Sequence, residues 1–131
     1  MTYSDATLNY FRAALGADTA AGVLAGPGTW RGAAGDRAQG AWVQFDVQIR
    51  SEIIQAARFL AFGCPHTIAV AAWLAEQAVG NRARAALPES VQNLSDRFAV
   101  PVEKRGRLLI VEDAWLAAMA GYAASHHTSC H

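Results

Sequence analysis

The sequence predicts an α+β domain, with one small antiparallel sheet of about three strands packed against several α-helices. Three observations carry this. Two segments rich in aromatic and β-branched residues, 42–49 and 53–62, succeed one another across a short turn. Stretches with helical apolar spacing come after them. The chain of 131 residues is 53% hydrophobic and 17% charged, the size and composition of one packed domain. Strands first and helices after is the order that puts helices on one face of a sheet. A domain of this length buries roughly two thirds of its unfolded surface, so it needs neither disulfide nor metal merely to fold.

Ser4 or Asp5 can cap a first helix, in which Leu8, Phe11 and Leu15 make one apolar stripe. From Gly16 to Gly40 the chain is rich in Gly and Ala and reads as loop, with room for a short strand near Val23 and Leu24 or around Trp30. Trp42, Phe45, Val47 and Ile49 mark a strand whose alternation is imperfect at Val43, Gln44 and Phe45. Arg50-Ser51-Glu52 is a turn, and Ile53, Ile54, Ala56, Phe59, Ala61 and Phe62 mark the returning strand of an antiparallel hairpin. Beyond Cys64, Ile68, Ala72, Ala75 and Val79 recur at helical spacing until Gly80 stops the helix. A short helix is expected around residues 82–86. Pro88 suits a first helical turn, and Val91, Leu94 and Phe98 share one face of the helix it opens. Val100-Pro101-Val102 is extended. Leu108, Val111, Trp115, Ala118 and Tyr122 line a final helix. Residues 1–124 thus read as a single domain, and 125–131 as a frayed tail.

The formal net charge is zero, which gives no electrostatic pull toward nucleic acid or an anionic membrane. Cys64 and Cys130 are far apart and make no disulfide framework, and the N-terminus lacks the basic start and apolar run of a signal peptide. The apolar run at 67–75 is too short to span a bilayer. A cytoplasmic protein is expected. Glycine-rich phosphate fingerprints and a Gly-x-Ser-x-Gly elbow are absent, and Cys64 and His66 are too close in sequence for a good nucleophile–base dyad.

The corner at Gly63-Cys64 holds the most chemistry. A cysteine between a strand end and a helix start lies near free backbone N–H groups and the positive end of the helix dipole, and both favour the thiolate. Together with its surroundings this corner carries a resemblance. Tyr3-Ser4, Ala33-Ala34-Gly35-Asp36, Ala57-Arg58-Phe59, Gly63-Cys64, Ile68-Ala69, Glu76, Gly80 and Glu112-Asp113-Ala114 stand in the order and spacing of the iron–sulfur cluster assembly scaffolds. Over roughly Thr2 to Ala124 the chain resembles the IscU proteins and the N-terminal domain of NifU. The resemblance implies the SufE/NifU fold, a non-enzymatic role in iron–sulfur cluster assembly, and a cysteine desulfurase or another assembly factor as partner, with a homodimer as a further possibility.

That family builds its site from three cysteines and an aspartate. Carried over residue by residue, the first cysteine falls on Ala34, the aspartate is kept as Asp36, and the second cysteine is kept as Cys64. The His-Cys pair before the last helix falls on Gly106-Arg107. In the segment by which the bacterial scaffolds bind their chaperone, only Pro101 and Lys104 match. The metal- or cluster-binding residues implied are therefore Cys64 and Asp36, with His66 if its ring turns toward the corner. Arg107 stands where a ligand is expected. Its guanidinium cannot ligate a metal, but it can pair with Asp36 and stabilise a Cys64 thiolate. Each residue also has an ordinary reading: Cys64 as a small core residue, Asp36 as a turn former, Arg107 as surface charge, His66 as a plain helix-start residue.

Two functions are open. One is a scaffold-like assembly protein with a degenerate site that takes iron, sulfur or a cluster transiently through Cys64 and Asp36. The alternative is a non-catalytic interaction module on the scaffold fold, which binds an assembly partner and holds neither iron nor cluster. Separately, His126, His127, Cys130 and His131 are good Zn²⁺ or Ni²⁺ ligands by type. Their spacing matches no fixed finger pattern, so incidental metal affinity is expected of the tail.

Overall fold

The structure is a computed structural model that describes residues 5, 7, 22–36, 38, 40–83, 91–101 and 105–128, with Arg105 and 125–128 described by backbone alone. Three strands, β1 (Thr29–Asp36), β2 (Ala41–Arg50) and β3 (Ile53–Phe62), form an antiparallel sheet in the order β1-β2-β3. Three helices come next: α1 (Pro65–Ala78), α2 (Val91–Arg97) and α3 (Arg105–Thr128). This is the expected α+β architecture. The first helix expected over residues 8–15 lies outside the described residues, although Asp5 and Thr7 are helical and the Thr7 hydroxyl donates to the Phe98 carbonyl at 2.8 Å.

The β2–β3 hairpin turns through Ser51 (φ 53°) and Glu52 (φ 68°), the left-handed pair of a type I′ turn. Its register settles the imperfect alternation of β2. Ala41, Val43, Phe45, Val47 and Ile49 all face the core, while Trp42 lies on the opposite face beside Phe62. Trp42 therefore does not share the Phe45 face. A register shift at Gln48/Ile49 leaves Gln55 as an extra residue on β3. The bulge lets Ile54 and Ala57, three apart, both turn inward.

The Gly/Ala-rich stretch is where expectation and structure part. Gly32, Ala33, Ala34 and Gly35 are not loop but the body of β1, paired residue by residue with β2. The physical reason is close packing. A Cβ on Gly32 would sit 2.1 Å from the Ala118 backbone nitrogen, and one on Gly35 would sit 2.3 Å from the Ala41 carbonyl oxygen. Gly32 lets α3 lie directly on the strand, Gly35 admits the β2 backbone, and ladder hydrogen bonds overcome a low strand propensity.

The core lies between this face and the helices, with Phe45 edge-on to Trp115 (5.5 Å), Trp73 edge-on to Phe98 (6.3 Å) and Trp30 edge-on to Tyr122 (5.0 Å). Most of α1 from His66 to Ala75 is buried, so it is a nearly enclosed helix rather than an amphipathic one, and Val79, just past its end, is exposed. The helix expected at 82–86 does not begin at Arg82. That residue bridges to Ile53, and the Ala83 N–H donates to the Glu52 carbonyl, which ties the segment to the hairpin instead. Leu108, Val111, Ala114, Trp115 and Ala118 form the buried stripe of α3. Its helical backbone continues through Thr128, so residues 125–128, read from sequence as frayed tail, are helical. No described helix is long and apolar enough to cross a membrane.

One buried charge organises the opposite face of the sheet. The Asp46 side chain is fully buried and accepts from Arg31 (Nε 2.7 Å, Nη2 2.9 Å), from the Leu24 N–H (2.9 Å) and from Gln44 (3.4 Å). The Gly22 N–H donates to the Phe59 carbonyl and the Ile49 N–H donates to the Gly28 carbonyl. Residues 22–28 thus cross the sheet from β3 to β1 as a strap fastened at Asp46.

Candidate functional site

At one end of the sheet three elements converge. The strand β3 stops at Phe62, which is half-exposed. Gly63 (φ 155°) turns the chain, and a Cβ there would meet Thr67 Oγ1 at 3.2 Å and the Gly40 carbonyl oxygen at 3.4 Å. Cys64 is the N-cap of α1, with extended φ/ψ, and its carbonyl accepts from the Ile68 N–H at 3.3 Å. Pro65 opens the helix, where its missing N–H costs nothing. From the connection before β2 comes Gly40, and from the first turn of α3 comes Arg107, whose Nη1 donates to the Gly40 carbonyl at 3.4 Å. The corner, the β1–β2 connection and the start of α3 are thereby drawn to one place.

Cys64 is a half-buried free thiol. Its Sγ lies 3.7 Å from Thr67 Oγ1 and 3.9 Å from His66 Nδ1. Burial pushes the thiol up. The N–H and hydroxyl of Thr67, the N–H of His66 and the positive charge of Arg107 act the other way and hold it below the ordinary thiol value. The surroundings therefore favour an anion on sulfur.

Of the residues singled out from sequence, the structure brings Cys64, His66 and Arg107 together. His66, in the first turn of α1, is fully buried beside the sulfur. The expected ion pair between Asp36 and Arg107 does not form. Asp36 is exposed at the end of β1, and its Oδ1 accepts from the Ala38 N–H at 2.8 Å in a local Asx turn, while Arg107 takes the Gly40 carbonyl. The ion pairs among the described residues are Arg31–Asp46 and Arg82–Glu52. Among the described residues, no three His, Cys, Asp or Glu side chains come together to hold a metal ion. Ala34 packs against the core from β1.

Sequence reasoning missed Thr67, which is fully buried against the sulfur. A signal was present, because an N-cap side chain faces the second and third helical residues, here His66 and Thr67. It also missed Asp46 and Arg31, which nothing in local sequence links.

The sequence over residues 3–129 matches the family model described as the NifU-like N terminal domain. No curated protein matches. Solved structures share the fold, two of them described by their source. One is a proposed iron–sulfur cluster assembly scaffold protein for the SUF system from the thermophile Fervidobacterium islandicum AW-1, at 15% identity and TM-score 0.68, covering 89% of this chain and 96% of that one. The other is the N-terminal part of a nitrogen-fixing NifU-like protein from Brucella abortus, at 15% identity and TM-score 0.69, covering 92% of this chain and 94% of that one.

Proposed function

The chain belongs to the NifU-like N terminal domain family, and from that membership we propose that it is a scaffold-type protein of iron–sulfur cluster assembly in which Cys64 takes up sulfur, without a complete cluster site in the single chain. The observation that carries this reading is the composition of the corner. A [2Fe–2S] cluster takes four protein ligands, usually thiolates. The corner offers one thiol, with the His66 imidazole beside it and the Arg107 cation within electrostatic reach. These residues do not fit a cluster held by one chain. They do fit an anionic sulfur, which Thr67 and Arg107 stabilise.

The step requires a persulfide donor such as a cysteine desulfurase. The Cys64 thiolate attacks the outer, sulfane sulfur of the donor persulfide, the donor's S–S bond breaks, and the donor leaves as a thiolate. A persulfide forms on Cys64 with no net oxidation or reduction.

The test uses the full chain carrying Cys130→Ser. Incubated with a cysteine desulfurase and cysteine, it is expected to gain the mass of one sulfur atom, which Cys64→Ser abolishes and Arg107→Ala reduces. In parallel, anaerobic iron and sulfide are expected to leave no stable visible absorption or bound iron. A stable cluster lost in both Cys64→Ala and Asp36→Ala would overturn the sulfur-only site in favour of a self-sufficient scaffold. No sulfur uptake, with the donor protein still bound, would leave the interaction module as the function.

A further inference from the structure

The two edges of the sheet are finished differently. Register fixes which backbone groups point away from β2. The Ile49 N–H donates to the Gly28 carbonyl, so hydrogen-bonded pairs on that side recur at Trp30, Gly32 and Ala34, and the N–H and carbonyl of Arg31 and Ala33 point outward. On β3 the same alternation turns Ile54 and Phe59 outward. There the chain supplies partners: the Gly80 N–H donates to the Ile54 carbonyl, the Ile54 N–H to the Asn81 carbonyl and the Gly22 N–H to the Phe59 carbonyl. Among the described residues, no backbone group meets those of Arg31 and Ala33, and both residues are exposed. Between Arg31 and Asp36 the edge runs Gly-Ala-Ala-Gly, without the charge or proline that blunts a free edge.

Helix α3 decides what can pair there. It runs along β1, with Ile110 at Gly35, Ala118 at Gly32 and Tyr122 at Trp30. Two copies joined by their β1 edges would set their α3 helices over adjacent strands about 4.8 Å apart, where packed helices need about 8–10 Å. A second copy is thus shut out, while a lone strand is admitted. Trp115, against Phe45 of β2, is buried, whereas Ala117 and Gly121 adjoin Gly32 and Trp30 and yet are exposed. The flank of α3 above the free edge therefore carries small residues that leave room for side chains. Asp36 ends β1 exposed, and exposed Asp113 lies one turn of α3 beyond Ile110. Toward the other end stands the half-exposed side chain of Arg31. We infer that the β1 edge takes one extended segment of a protein partner as a fourth, antiparallel strand, with a cationic residue toward Asp36 and Asp113 and an acidic one opposite Arg31. Main-chain hydrogen bonds to Arg31 and Ala33 hold it, and its side chains on the helix side lie against Ala117 and Gly121. The inference does not rest on sulfur uptake at Cys64, and either can fail alone.

Amide hydrogen exchange on the full chain, read residue by residue by NMR, tests it. In the free chain the Arg31 and Ala33 amides are expected to exchange fast, and those of Trp30, Gly32 and Ala34, bonded to β2, slowly. The probe is the synthetic peptide Lys-Thr-Val-Thr-Val-Glu-Val, blocked at both ends. At saturation it is expected to slow the Arg31 and Ala33 amides by about tenfold. Ala33→Pro removes an outward N–H and no ladder bond, and is expected to abolish the effect. Asp113→Lys, at an exposed position, is expected to weaken peptide affinity about threefold. The same peptide with proline at its central threonine is expected not to bind, which keeps the test independent of how well Ala33→Pro folds. Slow exchange at Arg31 and Ala33 in the free chain means that the edge is already covered. Slowing that grows with protein concentration, without peptide, puts a second copy on it. Either result overturns the inference, as does unchanged exchange at the peptide's solubility limit or equal binding of the proline peptide.

Discussion

Cys64 and Asp46 both take their ionisation from the groups packed around them, chiefly the neighbouring Thr67 and His66 with distant Arg107 for Cys64, and chiefly the distant Arg31 and Leu24 for Asp46. For Cys64, burial opposes ionisation, and Thr67, His66 and Arg107 more than offset it. In a Cys130→Ser chain, the alkylation rate of Cys64 is expected to reach half its maximum at a pH below the ordinary thiol value. Arg107→Ala should move that midpoint upward; an unmoved midpoint would remove Arg107 from the thiol's electrostatics. For Asp46, burial likewise raises the carboxyl, while Arg31, the Leu24 N–H and Gln44 hold it below the ordinary carboxylate range. A carboxyl lowered by folding stabilises the fold fully above its unfolded value of about 3.9 and ceases to do so as pH falls through its lower folded value. Asp46→Ala is therefore expected to lose about 2 kcal/mol or more of unfolding free energy at neutral pH, through lost charge-assisted hydrogen bonds. Urea titrations should show this difference shrinking only at acid pH. A difference independent of pH down to the acid limb would mean that packing, not charge, holds the strap.

Elements meet at backbone distance in this fold. The strand β1 has little side-chain bulk of its own because α3 occupies the space that side chains would take. Gly32→Ala places a methyl against the backbone of Ala117 and Ala118, atoms that cannot move without parting helix from strand. The expected cost is about 3 kcal/mol or more, read as a lower urea midpoint. Because Arg107 rides on the same helix, the variant should also raise the Cys64 alkylation midpoint. A change in stability with no change at the thiol would show that the start of α3 is fastened independently of its middle. The corner itself is held from both sides, by the enclosed helix α1 behind Cys64 and by Gly40 opposite Gly63.

Across the whole molecule, α3 brings a cation to the corner that β3 and α1 build around Cys64. With Arg107 at the corner, positive charge stands beside the single thiol. Arg107→Cys removes that charge and supplies a second thiolate on α3, near Cys64 and His66. In a Cys130→Ser background it is expected to bind Zn²⁺ or Fe²⁺ with thiolate-to-metal absorption from cobalt or iron that the parent lacks. Metal content equal to that of the parent would show that the three elements do not bring α3 close enough to share a ligand set.

Much of this was legible in the residues. The hairpin could be read from two apolar segments flanking a short turn, and the stripe of α3 from Leu108 to Tyr122, because both are local periodicities that burial repeats. Cys64 could be found because a strand end, a glycine and a helix start are consecutive in sequence. What stayed hidden depends on residues far apart. β1 reads as loop because Gly32 and Gly35 are poor strand formers, and only the close approach of α3 to Gly32 and of the β2 backbone to Gly35 makes them necessary. Asp36 and Arg107 looked like partners because they align with neighbouring ligands, yet each is satisfied elsewhere, one by the Ala38 N–H and one by the Gly40 carbonyl. Thr67 and Asp46 acquire their roles from burial. The α+β class, the corner and its single cysteine were set by the order of residues alone, since they come from local patterns of polarity and backbone preference. Which charges face that cysteine was left to tertiary packing, because the net field at a sulfur is summed over elements that the chain order keeps apart.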